Sequence, residues 1–260
     1  MLTALTRAPA RSLAANCALT FIERVEIDWR QLVLQHAAYC AALRDLEVEI
    51  VTLPAIESLP DSVFIEDAAV VLDEAVILAR PGVATRTAEA AALAPQLIGV
   101  RPVTLEIRAP GTLDGGDVLR IGRRLLVGHT GRTNDAGIAQ LRAHCQRLGY
   151  TLSVVPVAGS LHLKTACTAL DDATLLINPA WVDPGSLPGC ECVHVAVDEP
   201  FAANVLRIDG TLLVNAAFPA TLARVARHAE AHGNRWLAID VSEFGKAEAG
   251  LTCLSIVYRN

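Results

Sequence analysis

The chain has 260 residues, of which 52% are hydrophobic and 19% are charged, and its formal net charge at pH 7 is -6. This length fits one large domain or two small ones, and the composition predicts a sizeable buried core instead of long disordered segments. The negative charge argues against a nucleic-acid or membrane-surface partner, which would need clustered positive charge, and no apolar run reaches the ~18 residues of a membrane span.

The predicted elements repeat one order along the chain: a β-hairpin, a helix and a further strand. Helices are predicted from apolar residues spaced three and four apart, and hairpins from two apolar runs about a short polar turn. In chain order the segments are a helix over 29–46, a strand over 48–54, a hairpin over 68–80, a helix over 87–98, an extended segment over 100–107, a hairpin over 115–128, a helix over 134–149 and a strand over 150–157. They continue with a hairpin over 165–179, a strand over 192–197, a hairpin over 203–216, a helix over 219–233, a strand over 235–241 and a last strand over 251–258.

Polar residues stand at the start of each hairpin, and they recur at a nearly constant interval. From Asp67 through Asp117, His162 and Asn204 to Cys253, the spacings are 50, 45, 42 and 49 residues. A repeat of this length is typical of a propeller or an array, in which equivalent strand ends would meet at a common axis. An ordinary α/β sheet with polar strand ends is the alternative interpretation.

A common axis would bring together a cysteine, a histidine and several carboxylates. As a thiolate Cys253 would be a nucleophile, His162 would carry protons, and Asp114 or Asp117 would orient the histidine. The centre would be strongly acidic, and close carboxylates repel one another unless a cation lies among them. The carboxylates belong to Asp61, Glu66, Asp67, Asp114 and Asp117.

The acidic set leaves two kinds of cation open. One is a hard metal ion such as Mg²⁺ or Ca²⁺, and the other is a guanidinium or ammonium group of a substrate. A guanidinium suits paired carboxylates because its planar fork donates two parallel hydrogen bonds, and its central carbon is an electrophile that a thiolate can attack. Taken alone, Cys253 is more typical of a core residue and His162 of a structural or surface one. Only their equivalent positions in the repeat, which would bring both residues to the common axis, favour a catalytic role.

The cysteine pattern and the start of the chain bear on the compartment. Seven cysteines include no C-x-x-C pair, and Cys190 and Cys192 form an isolated C-x-C, so neither a disulfide framework nor a zinc site is predicted. The first residues contain arginines and a proline but no continuous apolar segment, so no signal peptide is predicted. We therefore expect a cytoplasmic protein.

Several motifs occur in an order that resembles the dimethylargininases, which hydrolyse N-omega-methylated arginines and belong to the guanidine-modifying (pentein) superfamily. In chain order the motifs are LPDSVFIEDAAVV, TLDGGDVL, RTN, LHLK, FAAN and LTC. The resemblance extends from about Arg7 to the end of the chain. It implies an α/β fold, namely a five-bladed α/β propeller of repeated ββαβ modules with pseudo-five-fold symmetry. It also implies a single catalytic domain over residues 1–260, a small-molecule substrate, no metal or organic cofactor, and allows for a homodimer.

The resemblance also implies roles for individual residues. Cys253 would form a covalent thiouronium intermediate, His162 would be the general acid and base, and Asp114 would support the histidine. Asp61 and Glu66 match guanidinium-binding carboxylates. The other matches are substrate contacts at Leu19 in a mobile N-terminal loop, at Asp67, at the carboxylate-binding arginines Arg86 and Arg132, and at Ala247, where relatives have a larger apolar residue.

The activity that the resemblance implies is hydrolysis of N-omega-methylated arginine to citrulline and dimethylamine or methylamine. The nearest alternative is arginine deiminase-type hydrolysis of free arginine or another small guanidine, with ammonia as the leaving group. A non-catalytic binding protein is the alternative from another class, since the superfamily contains a ribosome-subunit anti-association factor. The set of Cys253, His162 and Asp114 argues against a purely binding role, and the negative net charge argues against a ribosomal RNA partner.

Overall fold

The computed structural model describes all residues from Met1 to Asn260 and contains five three-stranded sheets. In every sheet the middle strand is antiparallel to one neighbour and parallel to the other. The strands are β1 Leu2–Arg7, β2 Glu49–Leu53, β3 Ala69–Val71, β4 Ala75–Leu78, β5 Val103–Glu106, β6 Val118–Ile121, β7 Arg124–His129, β8 Thr151–Pro156, β9 Cys167–Ala169, β10 Thr174–Ile177, β11 Glu191–His194, β12 Leu206–Ile208, β13 Thr211–Asn215, β14 Arg235–Ile239 and β15 Ser255–Arg259. Their orders are β15-β1-β2, β3-β4-β5, β6-β7-β8, β11-β10-β9 and β12-β13-β14.

The helices are α1 Leu13–Asn16, α2 Trp29–Asp45, α3 Thr87–Leu97, α4 Asp135–Arg147, α5 Leu163–Ala166, α6 Pro219–Ala231 and α7 Ser242–Gly245. Of these, α2, α3, α4 and α6 each lie between the middle strand of a sheet and its parallel neighbour, whereas no α-helix lies between β10 and β11. Asp28 caps the start of α2, where its carboxylate accepts hydrogen bonds from the backbone N–H groups of Arg30 and Gln31. None of these helices has the length and apolar character needed to cross a bilayer.

The first sheet is built from both ends of the chain, and the sequence analysis missed one of its strands. Strand β1 lies in the middle of that sheet, antiparallel to β15 and parallel to β2. Five of its six residues are buried, so it shows no alternation of apolar and polar side chains. Its segment, LTALTR, also contains two threonines and an arginine. The period-2 pattern that marks a half-exposed strand is therefore absent.

All five sheets present the equivalent strand to one axis. A cavity of about 310 Å³ is lined by residues of β3, β6, β9, β12 and β15, in each sheet the edge strand that pairs antiparallel with the middle strand. A single helical turn precedes four of these strands, at Ile65–Ala68, Gly115–Asp117, Leu163–Ala166 and Thr252–Leu254. The prediction of an α/β fold with five repeated modules around a common axis is confirmed.

Candidate active site

A small pocket brings together most of the residues that the sequence singled out. Its volume is about 20 Å³, and it is lined by seven of the ten predicted site residues: Asp61, Asp67, Arg86, Arg132, His162, Ala247 and Cys253. The other lining residues are Ala18, Phe64, Leu161, Glu248 and Ala249. The larger axial cavity is lined by neither Cys253 nor His162, so the smaller pocket is the candidate active site.

Cys253 lies in the single helical turn before β15 and is 7% exposed. Its Sγ accepts a hydrogen bond from the backbone N–H of Gly250 at 3.4 Å. Burial, followed by the negative charges of Glu66 and Asp67, raises the pKa of the Cys253 thiol to about 12. In the free protein the sulfur is therefore protonated at neutral pH.

The turn that carries Cys253 is held by Asn204. Its Oδ1 accepts from the backbone N–H of Thr252 at 3.0 Å, and its Nδ2 donates to the Thr252 hydroxyl at 3.0 Å. A Cβ on Gly250 would stand 2.4 Å from Cγ of Asn204, so only glycine permits this close approach. The predicted polar position at Asn204 thus fixes the backbone around the cysteine.

His162 is buried among carboxylates. Its Nε2 lies 2.9 Å from Oδ2 of Asp114, and its Nδ1 lies 3.8 Å from Oδ1 of Asp67. Burial disfavours the imidazolium, but Asp67, Asp114 and Asp117 together outweigh it and raise the pKa of His162 to about 9. At neutral pH the ring is protonated and can act as a general acid.

The structure distinguishes the two carboxylates that the sequence left as alternatives for orienting the histidine. Asp114 contacts the imidazole ring. Asp117 instead accepts hydrogen bonds from the hydroxyls of Thr130 and Thr133 and from the backbone N–H of Leu163. Asp117 thus connects the residue after the histidine to the turn that contains Thr130 and Thr133, and Asp114 orients the imidazole ring.

The raised pKa of Cys253 predicts how the free protein reacts with iodoacetamide. Because thiolate is the reacting form, alkylation should be slow at neutral pH and should climb by about tenfold per pH unit between pH 7 and 10. The Glu66→Gln variant should shift that profile to lower pH, since the Glu66 charge is the first electrostatic cause of the raised pKa. The matched control is Glu191→Gln, at an exposed strand position, and the measurement is mass spectrometry of the Cys253 peptide. A thiol that titrates well below pH 7 would contradict this protonation state.

The two predicted guanidinium-binding carboxylates face different spaces. Asp61 and Glu66 lie in consecutive helical turns, Pro60–Val63 and Ile65–Ala68. Asp61 lines the pocket, where both carboxylate oxygens accept from the backbone N–H of Ala18 at 3.1 and 3.2 Å. Glu66 lines the axial cavity instead. The chain bends between them, but the structure does not bring both carboxylates into the same pocket.

Glu66 has partners of its own. Its Oε1 accepts from Nζ of Lys164 at 2.5 Å and its Oε2 from the Thr252 hydroxyl at 2.8 Å. The Lys164 charge compensates the buried carboxylate, and Thr252 connects it to the residue next to Cys253. Lys164 lies in the LHLK motif, but the sequence predicts no role for it, because its partner Glu66 lies 98 residues away.

Arg86 and Arg132 differ in how many of their guanidinium N–H groups already donate hydrogen bonds within the protein. Arg86 donates to the carboxylates of Asp67 and Glu89 and to the carbonyls of Asp61 and Phe64. The structure therefore places Arg86 in a buried network that holds the pocket wall. Its predicted contact with a substrate carboxylate stays a prediction.

Arg132 keeps a donor free beside the pocket. Its Nη2 donates to the Thr20 hydroxyl at 3.2 Å. Its Nη1 is buried without a hydrogen-bond partner, and the nearest carboxylate oxygen, Oδ2 of Asp114, is 3.6 Å away. An unpaired buried donor is costly, so this guanidinium is suited to an anionic group that enters the pocket.

Residues 18–22 form a loop beside the pocket, here called the lid, of which Ala18 lines the pocket and Glu248 holds the rest in place. The Glu248 carboxylate accepts from the backbone N–H groups of Thr20, Phe21 and Ile22. Leu19, the predicted lid contact, is half-buried against the largest hydrophobic cluster and does not line the pocket. Sequence reasoning missed Glu248 because its partners are backbone groups more than 200 residues away, which no motif marks.

One set of pocket residues has the composition of a metal site. Asp67, Asp114 and His162 each offer a ligand atom, and these atoms lie within 4.8 Å of one another. The two carboxylates also have cationic neighbours, since Arg86 contacts Asp67 at 2.6 Å and Arg132 lies 3.6 Å from Asp114. These neighbours balance the buried negative charge, and the arrangement does not depend on a metal ion for its electrostatics.

Comparisons with known proteins identify relatives over nearly the whole length of the chain. No protein-family model matches the sequence. An N(G),N(G)-dimethylarginine dimethylaminohydrolase of Streptomyces coelicolor is 37% identical over 257 residues, which cover 98% of this chain and 96% of the relative. A cysteine-to-serine mutant of the Pseudomonas aeruginosa enzyme DDAH, in complex with citrulline, superposes with a TM-score of 0.91 at 30% identity and covers 98% of both chains. A histidine-to-glycine variant of a dimethylarginine dimethylaminohydrolase, in an adduct with S-methyl-L-thiocitrulline, superposes with a TM-score of 0.90 at 29% identity and covers 98% of this chain and 99% of its own.

Proposed function

Since the chain belongs to the dimethylarginine dimethylaminohydrolase family, we propose that it hydrolyses N-omega-methylated arginine to citrulline and dimethylamine or methylamine. The observation that carries the proposal is the charge arrangement of one closed pocket. Cys253, His162 and Asp61 line it together with Arg132, whose Nη1 has no partner. A methylarginine has a cationic guanidinium at one end and a carboxylate at the other, and its charges complement this arrangement once the lid opens, since about 20 Å³ is too small to hold it.

The first half of the reaction forms a covalent intermediate. The cationic guanidinium offsets the negative field of the pocket, so the Cys253 thiol loses its proton to solvent as the substrate binds. The thiolate then attacks the central guanidinium carbon and forms a C–S bond. His162, protonated in the free protein, donates its proton to the methylated nitrogen. The C–N bond breaks, the amine leaves, and a thiouronium remains on Cys253.

The second half consumes water. Neutral His162, oriented by Asp114, removes a proton from a water molecule, and the oxygen attacks the thiouronium carbon. The C–S bond breaks, its electron pair returns to Cys253, and the remaining hydroxyl proton passes to the sulfur, so that citrulline is released and the thiol is restored. Each turnover thus adds one water and releases one amine, and His162 ends the cycle protonated.

Citrulline release tests the proposal. The protein is incubated in parallel with asymmetric dimethylarginine, monomethylarginine, arginine and agmatine, and citrulline or the corresponding ureido product is measured. We expect a higher kcat/KM for the methylated arginines than for arginine. A preference for arginine with release of ammonia would favour the deiminase alternative, and no product from any of them would contradict the proposal.

Release of the lid can be tested through Glu248. The Glu248→Gln change removes the charge that strengthens three hydrogen bonds to the lid, so the open state should gain population. In the Glu248→Gln variant we expect Cys253 to be alkylated at least about threefold faster, because the lid is open more often. KM should change more than kcat, because opening of the lid alters substrate binding more than the chemical step. Glu191→Gln is again the matched control, and equal labelling rates in the two variants would show that Glu248 does not hold the lid.

Three further predictions from the sequence belong to this proposal. Residues 1–260 would form one catalytic domain, the protein would act in the cytoplasm, and the family resemblance allows for a homodimer. Sedimentation of the purified protein would test the assembly.

A further inference from the structure

A second group of metal-ligating side chains lies outside the active site, between two modules. Asp171 lies in the turn between β9 and β10, and His228 and His232 lie one turn apart at the end of α6. One ligand atom from each of the three residues lies within 4.8 Å of the others. Asp171 and His228 are partly buried and His232 is exposed, so the group is open to solvent on one side.

The carboxylate of Asp171 has one oxygen fixed and one directed at the histidines. Its Oδ1 accepts from the backbone N–H groups of Ala173 and Thr174 at 2.8 and 2.7 Å. Its Oδ2 lies 2.8 Å from Nε2 of His228. The turn therefore orients the carboxylate and leaves Oδ2 for a ligand.

The second histidine presents a free ring nitrogen. Nδ1 of His232 lies 2.8 Å from the backbone carbonyl oxygen of His228, to which it can only donate. In that tautomer Nε2 carries the lone pair and can ligate a metal. The two imidazoles lie close together, with ring centroids 4.2 Å apart, as expected for histidines spaced i and i+4 on one helix face.

The chemistry of this set fits a divalent transition metal. Zinc bonds of about 2.0–2.2 Å to nitrogen and oxygen place tetrahedral ligand atoms roughly 3.4 Å apart, which small side-chain rotations would achieve here. Two neutral imidazoles and one carboxylate leave a fourth position for water, and imidazole favours Zn²⁺, Cu²⁺ and Ni²⁺. The C-terminal end of α6 also carries partial negative charge, which stabilises a cation there.

We propose that Asp171, His228 and His232 form a binding site for a divalent transition metal such as Zn²⁺, which links the hairpin of the fourth module to the helix of the fifth. The site is independent of the hydrolase reaction, because none of its residues lines the active-site pocket. The competing interpretation is a hydrogen-bonded pair of Asp171 and His228 that binds no metal. Only the metal site requires His232, so this residue is the one to change.

Cobalt binding to the whole protein separates these interpretations, since Co²⁺ reports its ligands by absorption. The titration uses the Cys253→Ser background, which removes the active-site thiol as a competing ligand. We expect one equivalent to bind with weak visible bands and without the intense near-ultraviolet band of a thiolate ligand. His232→Gln should weaken binding by at least tenfold, and His194→Gln, at another exposed position, should not.

Zinc provides the second readout. Zn²⁺ should raise the melting temperature of the protein that retains His232 and leave that of His232→Gln unchanged, because ligand binding stabilises only a chain that has the site. The rate of methylarginine hydrolysis should be equal in wild type and His232→Gln without added metal, so failure of this proposal is distinguishable from failure of the proposed reaction. Equal Co²⁺ affinity in parent and His232→Gln, or a dominant thiolate band, would overturn the metal site.

Discussion

Replacement of Cys253 by serine is expected to abolish turnover of methylarginine while leaving the fold intact. The sulfur is the only group in the pocket that can form the covalent intermediate, and a neutral hydroxyl attacks a guanidinium poorly at the pH where the enzyme works. We expect kcat to fall by at least about 10³-fold, the size of loss seen when a catalytic nucleophile is removed. Serine can also accept the hydrogen bond from Gly250 that the sulfur accepts now, so the loss would not reflect a collapsed site.

Two further variants sharpen this result. Cys192→Ser changes a half-buried cysteine outside the pocket and should retain full activity. His162→Gly leaves the nucleophile in place but removes the proton donor and the base, so a substrate adduct on Cys253 should accumulate and be visible by mass spectrometry. A Cys253→Ser protein with wild-type turnover would show that the covalent mechanism is wrong.

The resting protonation states explain how one pocket could hold a nucleophile in an acidic setting. Burial, followed by the charges of Glu66 and Asp67, raises the pKa of Cys253 and keeps it a thiol, and the carboxylates around His162 keep its ring charged. The pair is therefore a neutral thiol beside an acid, not a thiolate–imidazolium ion pair. A guanidinium that binds among the carboxylates reverses the field at the sulfur, so the substrate activates its own nucleophile.

Local sequence patterns predicted most of the fold because each module repeats the same short-range order. The polar hairpin turns, the N-cap Asp28 and the helix that begins at Pro219 are signals carried within a few residues. Strand β1 lacked such a signal, since it is buried on both faces and pairs with β15 at the opposite end of the chain. The closure of the first sheet is a long-range event that periodicity cannot report.

The candidate active site was likewise predictable from the sequence only in part. The spacing of strand ends and the family resemblance together predicted the set of Cys253, His162 and Asp114. The direction in which a side chain points was not predictable, so Glu66 turned out to face the axial cavity. Contacts to backbone groups were also invisible in the sequence, and the hydrogen bonds of Glu248 to the lid are the main example.

Removal of the Arg132 side chain is expected to impair substrate binding strongly, because its Nη1 is a buried pocket donor without a hydrogen-bond partner. A substrate carboxylate that pairs with it would form a buried charge-assisted contact, and loss of one partner of such a contact costs about 2–5 kcal/mol. We therefore expect Arg132→Ala to lower kcat/KM for methylarginine by at least about 30-fold, chiefly through KM. Arg132→Lys should recover part of the loss, since it restores the charge but not the planar fork.

Agmatine is the ligand that tests whether Arg132 acts through a carboxylate, because it has a guanidinium but no carboxylate. Its inhibition constant or its rate of hydrolysis should be nearly the same in wild type and Arg132→Ala. Arg132 also lies 3.6 Å from Asp114, the partner of His162, so its removal could disturb the general acid instead of binding. That effect would reduce the processing of both ligands equally and lower kcat more than KM. If Arg132→Ala lowered kcat/KM equally for methylarginine and agmatine, Arg132 would not act by binding the substrate carboxylate. Its role would then be to position Asp114.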